Sequence, residues 1–157
     1  MFTVRRATPE DSPGIGRVHV RAIRELCAAR YPSEEIEAWA KPREPEHYVE
    51  AIRGKEFYVA EEDGSVVGFG TLDKESGEIE AVYVSPDVAG RGGGSEILRK
   101  LEERARASGL KALRLDASLN AIPFYTRNGY STVRELKHRL TSGVEIACVL
   151  MTKEFTA

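Results

Sequence analysis

Glu78-Ile79-Glu80-Ala81-Val82-Tyr83-Val84-Ser85-Pro86 runs directly into Asp87-Val88-Ala89-Gly90-Arg91-Gly92-Gly93-Gly94-Ser95, and a helical pattern continues to Ser108. A β-rich segment ends at a proline, a glycine-dense loop follows, and apolar residues then recur at helical spacing at Ile97, Leu98, Leu101 and Ala105. The stretch reads as a strand, a phosphate-sized loop and a helix. A backbone approaches a pyrophosphate closely only where no Cβ intervenes, and a helix N-terminus offers unpaired N–H groups and the positive end of a dipole. Gly92, Gly93 and Gly94 fall at that N-terminus. No Gly-Lys-Ser/Thr follows, so this is not a nucleotide P-loop, and the dinucleotide fingerprint fails for want of an acidic residue at the end of a second parallel strand. Taken alone, the glycines are weak evidence, the alternative being a flexible loop without a ligand.

Working outward, Phe57 to Glu62 and Val66 to Leu72 are two strands around Asp63-Gly64, a hairpin signal, with Gly68 and Gly70 thinning the second. Ser76-Gly77 turns into the strand 78–84, so three successive strands form an antiparallel meander. Beyond the loop, the helix stops at Ser108-Gly109 and Leu110 to Asp116 is a strand. Its return through a helix makes it parallel to the strand before the loop. Asn120 to Asn128 is a short helix closed by Gly129 in the left-handed conformation, and Tyr130 to Lys137 pairs with Val144 to Lys153 as a final hairpin. Upstream, Phe2 to Arg6 alternates as a short strand, and Ile15, Val18, Val20, Ile23, Leu26 and Cys27 supply a helical stripe ending near Arg30-Tyr31-Pro32. Ser33 is expected to N-cap a helix running to about Trp39; a further short helix covers Glu46 to Arg53, with Gly54 as its stop. The fold class is α+β: a mixed, mostly antiparallel sheet, centred on the parallel pair and flanked by helices.

A chain of 157 residues is sized for one domain, 1–157, with a single substantial core. Its formal charge of −2, from 23 Lys and Arg against 25 Asp and Glu, argues against a nucleic-acid surface, which needs a clustered cationic excess. No run of roughly eighteen apolar residues is present and Met1 to Arg6 lacks the apolar core of a signal peptide, so the expectation is cytoplasmic, with no membrane partner. Cys27 and Cys148 lack metal-like spacing and are expected to be free, buried thiols. His19, His47 and His138 are scattered, and no metal site is expected.

Ala89-Gly90-Arg91-Gly92-Gly93-Gly94 resembles the signature Gln/Arg-x-x-Gly-x-Gly/Ala of the Gcn5-related N-acetyltransferases, except that Ala89 opens it. Downstream, Ala121-Ile122-Pro123-Phe124-Tyr125-Thr126-Arg127-Asn128-Gly129-Tyr130 is similar to that family's Ala-x-x-Phe/Leu-Tyr-x-x-x-Gly-Phe/Tyr. Two motifs in the family's order are far more specific than either alone. The resemblance implies a single-domain fold of this family, with the strand before the loop splayed from its parallel neighbour at a bulge. It implies acetyl-CoA as co-substrate, its pantetheine along Val82, Tyr83 and Val84 and its pyrophosphate around Gly90, Arg91, Gly92, Gly93, Gly94 and Ser95. The family's pantetheine-bonding Asn falls at Ser118, while Asn120 lies two residues further on; either residue could take that part.

Acetyl transfer to an amine needs a base for the attacking nitrogen and a proton for the departing thiolate. The resemblance puts Tyr125 at a catalytic tyrosine position near the coenzyme sulfur, and a phenol with a reference pKa of about 10 carries its proton at neutral pH. Core packing is the bland alternative. Glu78 and Glu80 alternate on one strand and are expected to share a face with Val82 beside the reaction centre. Glu78 matches the general-base position of the family's histone-type members. Glu80 lies nearer the splay, and either glutamate could draw the proton through a water, two solvated strand carboxylates being the alternative; Asp116, ending the neighbouring strand, is a third candidate. The resemblance makes the segment between the first and second strands one wall of the acceptor pocket; its aromatics Tyr31, Trp39 and Tyr48 are expected to pack as core. His138 is the histidine nearest the substrate side. The function expected is acetyl transfer to a primary amine of a small molecule or peptide. The rival is a non-catalytic acyl-CoA-binding module. A homodimer is open as well, through Val144 to Met151 if that apolar strand lies at an edge.

Overall fold

Asp63 and Gly64 adopt positive φ of 52° and 80°, the backbone of a type I′ turn, whose twist suits the strands it joins. Those strands are β2 (Glu56–Glu62) and β3 (Ser65–Asp73), and β4 (Glu78–Val84) follows as the third strand of the meander. β1 (Thr3–Arg6) pairs with the outer side of β2. After the glycine loop come α4 (Gly93–Ala107), β5 (Ala112–Ser118), α5 (Ile122–Arg127), β6 (Ser131–Arg139) and β7 (Glu145–Glu154). Between β1 and β2 lie α1 (Ser12–Arg21), extended by one π-turn over Ala22–Leu26, α2 (Ser33–Trp39) and α3 (Pro45–Gly54). The computed structural model describes residues 2–155, and its seven-stranded sheet has the order β1-β2-β3-β4-β5-β7-β6. Among the described residues only β4 and β5 run parallel.

Strand alternation sorts the core into two layers. Phe57 and Val59 of β2 face Ile15 and Val18 of α1 and Tyr48 and Ile52 of α3, whereas Tyr58 and Ala60 face α4 with its Ile97, Leu98, Leu101 and Ala105. Gly68 and Gly70 lie under that helix because nothing larger fits: a Cβ at Gly70 would stand 2.5 Å from Ile97 Cγ2. A third cluster, Ile23, Cys27, Tyr31, Ile36, Ala40 and Ile146, ties the α1–α2 segment to β7. Both cysteines are buried and free.

Four details of the sequence reading change. Pro32, held extended at φ −64° and ψ 154°, takes the N-cap place expected for Ser33, and its carbonyl accepts from the N–H groups of Glu35 and Ile36. Gly54 closes α3 as its last helical residue and is not left-handed; the chain leaves through an extended Lys55. Leu110 belongs to the end of α4 rather than to β5: its N–H donates to the Ala105 carbonyl and that of Gly109 to the Arg106 carbonyl, a Schellman closure that carries Leu110 into the core. Finally, the apolar strand β7 lies between β5 and β6, so it is not an edge. Ile146, Cys148, Val149 and Met151 are all buried there, and the polar β6 takes the outer position.

Candidate active site

β4 and β5 pair at one register position, Glu78 with Arg114. Beyond it β4 is held on its β3 side alone, through Ala81–Thr71, Val82–Gly70, Tyr83–Phe69 and Val84–Gly68, while β5 stays zipped to β7 as far as Ser118. A bulge helps part them: the register steps from Ala81 to Ile79 and leaves Glu80 without an opposite residue. The extra residue also corrects the expected facing. Ile79, Val82 and Val84 pack into the layer under α4, and Ala81 and Tyr83 pack on the opposite layer. Val82 therefore does not share a face with Glu78, which pairs with Arg114 at 3.7 Å on the side away from that layer.

The split opens into a cavity of about 520 Å³. Glu78, Glu80, Val82 and Tyr83 of β4 line it, with Asp116 and Ser118 of β5, Tyr125 of α5 and His138 of β6. The second motif has a local structural cause. Gly129, at φ 93°, closes α5 in a Schellman turn: the Tyr130 N–H donates to the Tyr125 carbonyl at 3.0 Å and the Gly129 N–H to that of Thr126 at 3.1 Å. Tyr130 is anchored in turn, its hydroxyl donating to Glu102 at 2.8 Å, and Lys153 bonds both Glu102 and the Asn128 carbonyl. The spacing Tyr-x-x-x-Gly-Tyr is thus the geometry that seats Tyr125 in the cavity wall. Its side chain is buried, its hydroxyl bonds none of the described residues, and burial pushes its pKa well above the ordinary value.

At the neighbouring helix end, Gly92 is the N-cap of α4 at φ 90°, and no side chain caps the helix. The first-turn amides of Gly93, Gly94 and Ser95 therefore have no side-chain cap at the end of a fifteen-residue helix. A Cβ at Gly90 or Gly92 would meet nothing within 4 Å, whereas one at Gly94 would come within 3.1 Å of Phe124, so Gly94 is also a packing requirement. Arg91 has its guanidinium on Glu62 at 2.8 Å, and the Ser95 hydroxyl accepts from Asn128. Ser118 lines the cavity; Asn120 lies in the turn after it, and its Oδ1 is buried without a protein partner.

The family model described as Acetyltransferase (GNAT) family matches residues 20–130. The chain belongs to the GNAT family. It is 27% identical over 132 residues to an uncharacterized N-acetyltransferase, YafP, of Escherichia coli (strain K12), covering 84% of this chain and 83% of that one. A solved GCN5-related N-acetyltransferase (aminotransferase, class-II) from Rhodopseudomonas palustris superposes with a TM-score of 0.92 at 31% identity, over 98% of this chain and 95% of the other. The PaiA N-acetyltransferase of Thermoplasma acidophilum, solved in complex with coenzyme A, has the same fold, with a TM-score of 0.81 at 20% identity over 99% of each chain. As a GNAT member this protein is an acyltransferase. Among the described residues, no helix is long and apolar enough to cross a membrane.

The carboxylates of this GNAT site differ in their surroundings. Burial pushes Glu78 above the ordinary carboxylate range, with Asp116 adding to the rise and Arg114 opposing it. Glu80 is exposed and lies 3.3 Å from Lys55, which also holds Asp73. The aromatics do both jobs. Tyr31 is buried, accepting from the Leu119 N–H and donating to the Ala147 carbonyl, and Tyr48 is buried against His19; both still line the cavity with Trp39. Sequence reasoning missed the wall that carries Arg43. Arg43, from the connector between α2 and α3, reaches His19 at 2.9 Å, and His47 joins them along the same cavity. A helix-facing histidine and a connector arginine carry no shared spacing, so no sequence signal marks them as one group.

Proposed function

We propose that the protein transfers acetyl from acetyl-CoA to a primary amine of a small molecule or peptide, by direct attack in a ternary complex. What carries the reading is the β4–β5 split, closed at a single register pair and opening onto the Tyr125 hydroxyl. The residues fit the coenzyme: an uncapped helix start with open glycine backbone suits a pyrophosphate, and the orphaned Asn120 Oδ1 suits an amide N–H of the pantetheine. Val82, Tyr83 and Val84 offer β4 backbone on the parted side. When bound, acetyl-CoA supplies an activated thioester.

The chain's own groups then manage protons. Glu78, with its raised pKa, takes through one water the proton that the attacking amine sheds. Glu80 is instead exposed and engaged by Lys55. Tyr125 keeps its proton because burial disfavours the phenolate, and gives it to the departing sulfur.

The test combines coenzyme A calorimetry with an acetyl-CoA consumption assay over an amine panel. Micromolar binding and amine-dependent turnover are expected, and Gly92→Val should weaken coenzyme binding at least tenfold in a folded protein. Binding without turnover on any amine would make the protein an acyl-CoA-binding module instead.

A further inference from the structure

Acetyl transfer by itself leaves the acceptor's chemistry open, and the cavity wall narrows it. Arg43 enters the cavity from the α2–α3 connector with its Nη1 at 2.9 Å and 3.1 Å from the two ring nitrogens of His19. Neither of those contacts neutralises it. Burial, helped by Arg43 and His47, holds His19 neutral with a pKa pushed down to about 3, and His19 in turn bonds the uncharged Tyr48 hydroxyl at 2.9 Å. Arg43 is exposed, and among the described residues no carboxylate pairs with it, which leaves it available to a ligand in the cavity. The cavity therefore carries an uncompensated guanidinium at one side. At the β4–β5 side it carries Glu78 and Asp116.

Tyr83 links the two sides. Its ring stands 4.7 Å from that of His19, and its hydroxyl feels the charge of Arg43 together with the neighbouring phenol of Tyr125. A ligand lying over Tyr83 thus meets cationic character at one end and carboxylates at the other. A polyamine would be repelled by Arg43, and a simple amine would leave that charge unused. A planar guanidinium without a carboxylate partner suits the carboxylate of a ligand.

Resting on the acetyl-transfer reading, we infer that the acceptor is an amino acid or a similar zwitterion, its carboxylate held by Arg43 and its amine presented to Glu78 and the thioester beside Tyr125. Arg43 is then a specificity-determining residue: it orients the acceptor and takes no part in bond making.

The test uses the full chain, acetyl-CoA and the proteinogenic L-amino acids, each matched with its carboxamide and its decarboxylated amine, with spermidine added. The best amino acid should exceed its carboxamide at least tenfold in kcat/KM. In Arg43→Gln that ratio should collapse toward one, and Arg43→Lys should restore part of it, while coenzyme A affinity stays as in the wild type. A carboxamide or decarboxylated amine that matches or beats its amino acid, or a ratio kept in Arg43→Gln, overturns the inference. Calorimetry of the same compounds with the coenzyme A-saturated protein separates the two readings. Binding of the carboxylate compound that weakens tenfold in Arg43→Gln, without any acetylated product, upholds the inference and defeats acetyl transfer. Product only from the amines that lack a carboxylate does the reverse, and no binding by any panel member overturns the inference.

Discussion

The rings of Tyr125 and Tyr130 meet edge to face, centroids 5.7 Å apart, across the turn in which the Tyr130 N–H donates to the Tyr125 carbonyl. One local motif thus fixes a candidate catalytic phenol by tying it to an aromatic that is itself bonded to Glu102 on α4.

That turn depends on Gly129. Its φ of 93° is costly for any residue with a Cβ, and a Cβ there would meet the Lys153 side chain at 3.3 Å. Gly129→Ala should cost about 1–2 kcal/mol from the backbone conformation, with a further loss if Lys153 is pushed off Glu102. Urea denaturation measures it; an unchanged midpoint would show that the turn relaxes freely.

Tyr125→Phe keeps the ring and removes a hydroxyl that bonds none of the described residues, so stability and coenzyme affinity should hardly move. Turnover should fall by ~10²–10⁴-fold, in kcat more than in KM for the amine, because the proton is needed as charge develops on sulfur. A Phe variant that keeps its kcat while chemistry is rate-limiting would make Tyr125 a packing residue.

Glu78→Gln should lower kcat/KM by ~10²-fold or more, while Glu80→Gln, which removes only a partner of Lys55, should change it by less than about threefold. Glu78 must be ionised to act, and its raised pKa puts the acid limb of the kcat/KM profile above the ordinary carboxylate value of 4.5. Equal losses in the two variants, or an acid limb at or below 4.5, would remove Glu78 from the role.

His19 makes stability fall with acid. Below its ordinary pKa of 6.5 the unfolded chain takes up a proton that the folded chain refuses until about pH 3. This contribution is therefore complete above pH 6.5 and declines through the window from 6.5 to 3, with a slope approaching ~1.4 kcal/mol per pH unit. His47, also lowered chiefly by burial, adds in the same sense, and Asp11, held down by Arg5, adds nearer pH 4. Denaturation midpoints of the wild type and His19→Phe between pH 5 and 6.5 provide the check: the variant should show the shallower slope. Parallel slopes would mean that His19 takes up its proton in the folded state.

The sequence by itself determined whatever depends on neighbours along the chain. The type I′ hairpin at Asp63-Gly64, the glycine loop opening α4 and the closure of α5 by Gly129 are local backbone preferences, and each stands where the residues place it. Helical spacing put Ile97 and Leu101 on one apolar face, and both are buried, because one period sets one face. The two motifs were legible for the same reason: each is a turn whose geometry a few adjacent residues dictate.

Tertiary structure alone decided the rest. The bulge at Glu80 is a matter of register between two strands, and a slip of one residue sends Val82 to the opposite layer from the one alternation assigned it. Which final strand became the edge followed from burial on both faces of β7, and Ser33 lost its cap because Pro32 was already extended. Arg43, His19, Glu78 and Tyr125 come from a connector, a helix, a strand and another helix. Their common cavity exists only because packing α1 and α3 on one face of the sheet brings distant side chains to the point where β4 leaves β5, and long-range juxtaposition of that kind has no periodicity in a single sequence.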